Sequence, residues 1–246
     1  MHRFSRLELL YGGEALQRLQ DASVAVFGLG GVGSFAVEGL VRGGVGRLTL
    51  VDFDLIEITN INRQLQALEE TIGHPKALVL AERCRRINPQ CQVEPLQMFY
   101  SAETADELLG RGYDYVLDCI DQITAKLHLM QTCRERSLPV ISSMGAANKV
   151  DPSMILVSDL ADTHRCRMAR VVRRELRRRG ITDGLKVVYS TEEFRLLSGP
   201  RGTPEGASDG NYQQRRAPLG SSSVIPPIFG LTMAGEVLRD LLVKEV

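Results

Sequence analysis

The stretch VAVFGLGGVG, residues 24–33, decides the fold of this protein. A short apolar run, typical of a buried strand, leads directly into Gly28, Gly30 and Gly33, with Gly31 between them. In such a loop Gly28 allows a tight turn, Gly30 lets the backbone approach a phosphate or ribose, and Gly33 lets the next helix pack against the strand. The N-terminus of that helix favours an anion. The stretch predicts a nucleotide site, with NAD, FAD and ATP all open; a purely structural turn is the alternative.

Strands and helices alternate along the chain around this loop. Helices are predicted over 31–42, 74–87, 101–110 and 124–136, and they separate the predicted strands VAVFG, RLTLVD, CQVEPLQM, YDYVLDCID and LPVISS. Strands that alternate with helices pair in parallel through right-handed crossovers. We therefore predict an α/β, Rossmann-like fold with a doubly wound, mainly parallel sheet.

The predicted sheet is flanked by further elements at both ends of the chain. A helical lead over 4–20 precedes it, and residues 198–223, rich in Gly, Pro and Ser, are predicted to be a mobile or poorly ordered loop. The C-terminal extension is predicted to contain a strand over 150–160, a basic helix over 163–180, the strand LKVVYST and a closing helix that starts at PPIFGL. We predict one domain over 1–246, with a nucleotide-binding core at about 20–145 and a substrate-facing part at about 146–246.

The composition narrows the class of protein. Thirty Lys and Arg balance thirty Asp and Glu, so the net charge does not indicate a nucleic-acid partner, although a local patch still can. The five cysteines include no Cys-x-x-Cys pair, which argues against a structural zinc site and a disulfide framework. We identify no signal peptide and no apolar run near the roughly 18 residues of a membrane span. We expect a cytoplasmic protein with no membrane partner.

Two cations follow the second predicted strand. Asp52 ends that strand, where a carboxylate can accept hydrogen bonds from ribose hydroxyls. Arg63 and Lys76 come next, and we place both near the carboxyl ends of the strands. A triphosphate favours such a pair, because Arg offers a fork of donors and Lys a point charge. Taken singly, either cation is as well explained as a surface charge.

The fourth predicted strand ends in LDCID, which supplies Asp118 and Asp121. A carboxylate there can hold Mg²⁺, which usually takes one or two protein carboxylates together with phosphate oxygens. For Asp118 the alternative is a structural role, as a cap of the next helix or a support of the loop.

Taken together, these motifs resemble the ThiF- and MoeB-type adenylyltransferases of the ubiquitin-activating-enzyme superfamily. This group includes bacterial enzymes that activate sulfur-carrier proteins. The resemblance covers roughly residues 4–160. It rests on Arg6, GLGGVG, VDFD, TNINRQ, the lysine of GHPK, and DCID.

Within this superfamily the chain is most similar to the tRNA threonylcarbamoyladenosine dehydratases. The opening RFSRLELLYGGEALQRLQDASVAVFGLGGVGS carries this similarity, as do VISSMGAANKVDPSMILVSDLADT, RMARVVRRELRRRGI and GSSSVIPPIFGLTMAGEVL. The chain departs from the family pattern before the basic helix, where Cys166 and Arg167 replace an acidic residue and a proline. Residues 198–223 offer little to align.

The resemblance implies an ATP-dependent, ligase-type enzyme that adenylates a carboxylate on an adenosine of tRNA next to the anticodon, and then closes a ring with loss of AMP. It implies that Asp52 binds the ribose, that Arg63 and Lys76 bind the phosphates, and that Asp121 holds Mg²⁺. It also implies a homodimer in which Arg6 reaches the phosphates in the neighbouring subunit. The residues implied to shape the nucleotide pocket are Asp54, Asn60, Gln64 and Asp118, together with the glycine loop.

The basic helix carries eight arginines over 163–180 against the single Glu175. Arg170, Arg174 and Arg177 share one face at helical spacing, so this face is predicted to contact a nucleic-acid backbone; a solvated helix face is the alternative. Cys166 lies in the same basic setting, but its surroundings do not match the thioester cysteine of the family, and a catalytic role is disfavoured.

Other functions remain as alternatives. The same chemistry could adenylate the C-terminus of a ubiquitin-like sulfur carrier, and a sulfur-relay protein could dock on the chain. A scaffold that binds ATP without turnover is disfavoured, because it would not need all of Arg6, Arg63, Lys76 and Asp121. An NAD-dependent oxidoreductase is disfavoured by the two cations near the predicted strand ends.

Overall fold

One mixed sheet organises the part of the chain that the computed structural model describes, residues 2–193 and 219–243. Its strands lie in the order β3-β2-β1-β4-β5-β7-β6, and all neighbours are parallel except β6, which is antiparallel to β7. The predicted Rossmann-like, mainly parallel fold is therefore confirmed. The strands are β1 (Ser23–Phe27), β2 (Arg47–Val51), β3 (Gln92–Leu96), β4 (Tyr115–Asp118), β5 (Val140–Ser143), β6 (Ile155–Asp159) and β7 (Lys186–Ser190).

The predicted helices are present, but the basic helix predicted over 163–180 spans only Arg167–Arg178, because Arg165 has a φ of 59° just before it, and the helix predicted over 101–110 spans only Ala105–Leu109. The predicted lead over 4–20 is two helices, because Gly12 adopts a φ of 85° between them and interrupts the helical backbone. Of the predicted loop over 198–223, residues 198–218 lie outside the described residues, and residues 219–223 form no helix or strand. The helices are α1 (Ser5–Tyr11), α2 (Gly13–Asp21), α3 (Gly33–Arg42), α4 (Lys76–Ile87), α5 (Ala105–Leu109), α6 (Ile123–Glu135), α7 (Arg167–Arg178) and α8 (Ile225–Leu242).

The central strand β1 is buried on both faces. Val24 and Val26 pack with residues of α3, α4 and α8, whereas Ala25 and Phe27 pack with residues of α5 and α6. This is the arrangement expected for a parallel sheet covered by helices on both sides. A third cluster joins α6, α7 and β7. None of the helices within the described ranges is long and apolar enough to cross a membrane.

Successive strands are added first on one side of β1 and then on its other side, and this change of side positions the candidate site. From β1 the chain proceeds to β2 and β3 on one side, and then to β4 and β5 on the other side. The loops that follow β1 and β4 therefore diverge and leave a crevice at the carboxyl edge of the sheet, where open α/β sheets bind ligands. The glycine loop follows β1, and the sequence CID follows β4, so both predicted motifs border this crevice.

Two glycines are required by the close approach of these loops. Gly28 has a φ of 86°, and a Cβ on it would lie 2.8 Å from the carbonyl oxygen of Cys119. A Cβ on Gly33 would lie 1.8 Å from the carbonyl oxygen of Gly28. The tight turn predicted at Gly28 and the close helix packing predicted at Gly33 agree with this geometry.

We expect Gly33→Ala to destabilise the protein by about 2–3 kcal/mol, because the backbone of Gly28 must move to admit the methyl group. Gly235→Ala is the matched control, since Gly235 lies in α8 and a Cβ on it would meet no atom within 4 Å. That change should stabilise the protein by up to about 1 kcal/mol. Urea unfolding of both variants measures the difference, and equal stabilities would contradict the packing argument.

Candidate nucleotide-binding site

Asp52 joins the ends of the first two strands. Its Oδ2 accepts a hydrogen bond of 2.6 Å from the backbone N–H of Leu29, and its Oδ1 accepts one of 2.8 Å from the backbone N–H of Asp54. The residue is only 8% exposed. Burial raises the pKa of this carboxyl group, although Lys76 and the two backbone donors oppose the shift. Asp52 thus fixes the glycine loop relative to β2 while its carboxylate lies at the crevice.

Lys76 is held at the same edge of the sheet as the first residue of α4. Its side chain is 7% exposed, and its Nζ lies 2.7 Å from Oδ2 of Asp54. The backbone N–H of Lys76 also donates to the carbonyl oxygen of Asp54 at 3.1 Å. A nearly buried ammonium group requires a counter-charge, and Asp54 provides it. The predicted cation is therefore present at the carboxyl edge in a fixed position.

Arg63 lies over the glycine loop. A Cβ on Gly31 would lie 3.3 Å from Cγ of Arg63, so the stem of the arginine is close to the loop backbone. Its Nη1 donates to the carbonyl oxygen of Thr59 at 2.7 Å and to Oδ1 of Asn62 at 2.9 Å. A guanidinium group has five N–H donors, so these two bonds orient it and leave donors for a phosphate.

Three amide side chains support the loop between β2 and α4. Asn60 is buried and accepts a hydrogen bond of 3.1 Å from the backbone N–H of Glu57, which closes a short 3₁₀ turn. Gln64 is buried and accepts a bond of 3.3 Å from Gln66. Gln66 also donates to the carbonyl oxygen of Leu29 at 2.7 Å, yet its own buried Oε1 has no hydrogen-bond partner among the described residues. Sequence reasoning missed Gln66, although it lies two residues after Gln64.

The two aspartates after β4 have different environments. Asp118 is fully buried, and its Oδ2 accepts hydrogen bonds from Nζ of Lys126 at 2.7 Å and from Oγ of Ser142 at 2.6 Å. Its Oδ1 accepts one from the backbone N–H of Ile120 at 3.1 Å. This arrangement favours the structural alternative for Asp118 over direct contact with a nucleotide. Asp121, in contrast, is exposed at the carboxyl edge just before α6.

Arg6 is separated from the other predicted site residues. It is exposed on α1, and the neighbouring Arg3 donates a 2.7 Å hydrogen bond to the carbonyl oxygen of Ile87, the last residue of α4. Lys76 begins the same helix, so the two ends lie roughly 17 Å apart at 1.5 Å per residue. The segment just before α1 is thus held at the end of α4 that lies away from Lys76 of the same chain.

Four of the five cysteines are buried, and Cys119 is partly buried. All five are free thiols, and burial raises the pKa of Cys84 to about 12 and that of Cys91 to about 11. Cys166 is 6% exposed and packs in the cluster of α6, α7 and β7, which gives no support to a nucleophilic role. The described ranges contain no group of three or more His, Cys, Asp or Glu side chains arranged to hold a metal ion.

The crevice at the topological switch point contains a glycine loop, a buried carboxylate and two cations held by hydrogen bonds. These features define a nucleotide-binding α/β protein whose site suits a polyphosphate. The profile of the ThiF family matches residues 4–245. The chain is 45% identical to the tRNA threonylcarbamoyladenosine dehydratase of Bacillus subtilis (strain 168), over 98% of this chain and 95% of the relative. It therefore belongs to the ThiF family and, within it, to the tRNA threonylcarbamoyladenosine dehydratases, as the sequence motifs predicted.

Solved structures agree with this assignment. The crystal structure of the Escherichia coli enzyme, TcdA, in complex with ATP is 33% identical and has a TM-score of 0.85, and the match covers 98% of this chain and 93% of that one. A more distant relative is the molybdopterin-synthase adenylyltransferase of Salmonella typhimurium. It is 35% identical, but only over 61% of this chain and 60% of its own length. The dehydratases thus match the C-terminal extension as well as the core.

We expect Lys126→Met to lower the free energy of unfolding by about 3–5 kcal/mol, because it leaves the carboxylate of Asp118 buried without its counter-charge. The double variant Asp118→Asn/Lys126→Met should recover part of this loss, since it removes both charges. Urea unfolding of the two single variants and the double variant forms a thermodynamic cycle. Strictly additive effects would show that the two side chains do not stabilise each other.

Proposed function

We propose that this protein is an ATP-dependent tRNA threonylcarbamoyladenosine dehydratase. The proposal depends above all on Arg63 and Lys76, which lie beside a glycine loop at the topological switch point of the sheet, where a triphosphate requires positive charge. The near full-length similarity to enzymes of that name supports the choice of substrate. The carboxylate that becomes activated is that of the threonyl group on an adenosine of tRNA, next to the anticodon.

The reaction then has two steps. An oxygen of the threonyl carboxylate attacks the α-phosphate of ATP, the bond to the pyrophosphate breaks, and an acyl-adenylate forms. A nitrogen or oxygen of the same side chain next attacks the acyl carbon, a ring closes, and AMP leaves with the carboxylate oxygen. The net change in the nucleoside is the loss of one water. Such a reaction mainly needs positioning and stabilisation of charge.

We propose the following roles for the site residues, which the family resemblance implies and the geometry supports. Asp52 accepts hydrogen bonds from the ribose hydroxyls, and Gly28, Gly30, Gly31 and Gly33 let the backbone approach the nucleotide. Arg63 and Lys76 bind the phosphates and stabilise the charge that develops on them. The amide side chains of Asn60 and Gln64 and the carboxylate of Asp54 shape the pocket; Asp118 supports it from within the sheet.

Asp121 is the residue that we propose to hold Mg²⁺. Asp121 is exposed at the crevice. The other carboxylate of the sequence DCID, that of Asp118, is paired with Lys126. A single carboxylate suits Mg²⁺, which takes its remaining ligands from phosphate oxygens and water. The ion would supply further positive charge at the phosphates.

We further propose that the protein acts as a homodimer in the cytoplasm. Arg6 lies far from Lys76 of its own chain, so it can serve a nucleotide only if a second subunit brings it there. The same helix, α1, exposes the apolar side chains of Leu9 (81%) and Leu10 (69%), which favours burial against a partner. A sulfur-relay protein is a further partner consistent with the family.

We expect Arg63→Ala to reduce ATP–pyrophosphate exchange in the presence of tRNA that carries threonylcarbamoyladenosine by about 100-fold or more, because it removes charge stabilisation at the phosphates. Lys76→Ala should have a similar effect. The exposed Arg42→Ala, on α3, is the matched control and should leave exchange unchanged. Mass spectrometry of the tRNA nucleosides should show loss of one water with the wild-type protein and the control only.

The same assay separates the alternatives. ATP–pyrophosphate exchange that occurs only with a small carrier protein ending in Gly-Gly, while the tRNA stays unchanged, would instead indicate a sulfur-carrier adenylyltransferase. Binding of ATP without exchange in either case would indicate a nucleotide-binding scaffold. Thermal unfolding of each variant, compared with wild type, shows whether a loss of activity reflects a loss of folded protein.

Nucleotide affinity should also decrease on acidification, at a pH above the usual titration range of an aspartate. Burial raises the pKa of Asp52, and the protonated carboxyl group is a poorer acceptor for ribose hydroxyls. Isothermal titration calorimetry of ATP across the weakly acidic range measures this decrease in affinity, which is the acid limb of the pH profile. Asp52→Asn should bind ATP more weakly and lack the limb. If the limb persists in that variant, another group, such as the nucleotide itself, is titrating.

A further inference from the structure

We propose that one face of α7, formed by Arg170, Arg174 and Arg177, binds the phosphate backbone of the tRNA substrate. We call these three residues the arginine face. The inference rests on the proposed function, because it takes tRNA as the substrate. It adds the surface of this chain that holds the part of the tRNA beyond the reacting nucleoside.

The helix is fixed to the fold by its opposite face. Ala169, Val172 and Leu176 are completely buried in the cluster that joins α6, α7 and β7. Arg173 extends along the side of the helix and donates to the carbonyl oxygen of Thr163 at 2.6 Å. The three residues of the arginine face are exposed. The arginines are therefore presented by a helix that is already ordered, which lowers the entropic cost of ordering the protein when a ligand binds.

The charge of α7 is far from compensated within the described residues. The helix contains six arginines and one acidic residue, Glu175, in a chain whose positive and negative residues are equal in number. Glu175 pairs with Arg174 at 2.9 Å and with Arg178 at 3.1 Å. Arg170 and Arg177 make no side-chain hydrogen bond or ion pair to any described residue. Like charges at this spacing repel one another, and an anionic ligand relieves that repulsion.

The position of α7 connects this surface to the nucleotide site. A Cβ on Gly145 would lie 3.5 Å from Cβ of Met168, so the first turn of α7 packs against the loop that follows β5. Strand β5 is parallel to β4, which is parallel to β1, so this loop lies at the same edge of the sheet as the glycine loop. The arginine face therefore begins near the reaction edge and extends away from it.

The chemistry of the surface favours RNA over a membrane. Every cation of α7 is an arginine, which binds phosphate through two parallel hydrogen bonds and is more weakly hydrated than lysine. A membrane-binding helix inserts an exposed apolar face, but the apolar residues of α7 named above are buried in the protein. A phosphate backbone needs only the charged face.

The test is the double variant Arg170→Gln/Arg177→Gln, which removes the two uncompensated charges and leaves Arg174 with its partner Glu175. We expect its Kd and its KM for tRNA to rise about tenfold, with kcat and ATP affinity unchanged. The slope of log Kd against log salt concentration should decrease by about 1–2, as expected for lost phosphate contacts. Filter binding and steady-state nucleoside analysis provide these values.

The control is Arg86→Gln/Arg239→Gln, which removes two exposed charges from α4 and α8 and should leave tRNA binding unchanged. Wild-type tRNA affinity and salt slope in the α7 variant would overturn this inference and leave the proposed function intact. The same result with lost binding to phosphatidylglycerol vesicles would reassign the face to lipid. If the wild-type protein binds ATP but neither binds nor modifies tRNA, the proposed function fails, and this inference fails with it.

Discussion

The approach of two loops at the centre of the sheet determines much of this structure. The loops after β1 and β4 meet where a Cβ on Gly28 would lie 2.8 Å from a backbone oxygen of Cys119, a distance that only glycine permits. Because the strand order switches sides at β1, the chain leaves these two loops in opposite directions, and the crevice lies between them. The position of the nucleotide site therefore depends on the strand order and on glycine, which has no side chain, at position 28.

The sequences VDFD and DCID make the same turn at the ends of β2 and β4, the two strands that flank β1. In each, the first aspartate is buried, and its Oδ1 accepts a hydrogen bond from the backbone N–H two residues later, that of Asp54 or Ile120. This local bond turns the chain sharply at the strand end. The second Oδ then holds a neighbouring element, which is Leu29 for Asp52 and Lys126 for Asp118. The more exposed aspartate that follows each turn is left for the crevice.

Local patterns predicted the fold well, whereas contacts between distant residues escaped prediction. Alternating strands and helices, together with the glycine spacing, were enough to indicate the sheet and the position of its crevice. The division of the helical lead at Gly12 depended on a single backbone torsion. The partner of Asp118 could not be predicted, because Lys126 reaches it only through the packing of α6 on the sheet. The hydrogen bond from Arg3 to the last residue of α4 likewise joins residues 84 positions apart in the sequence.

Under the proposed function, such contacts matter because they fix the two cations of the site. Lys76 is held by Asp54, and Arg63 by the carbonyl oxygen of Thr59, so the protein itself fixes both side chains. Groups that are already oriented toward a developing charge need no reorganisation when the reaction begins, which is the main source of electrostatic catalysis. Asp54 also offsets the cost of keeping an ammonium group nearly buried. Its partly exposed carboxylate weakens the field of Lys76 only moderately, because solvent screens it. Under the proposed function, this arrangement gives up some attraction for the nucleotide, and in return the side chain of Lys76 is in place before the nucleotide binds.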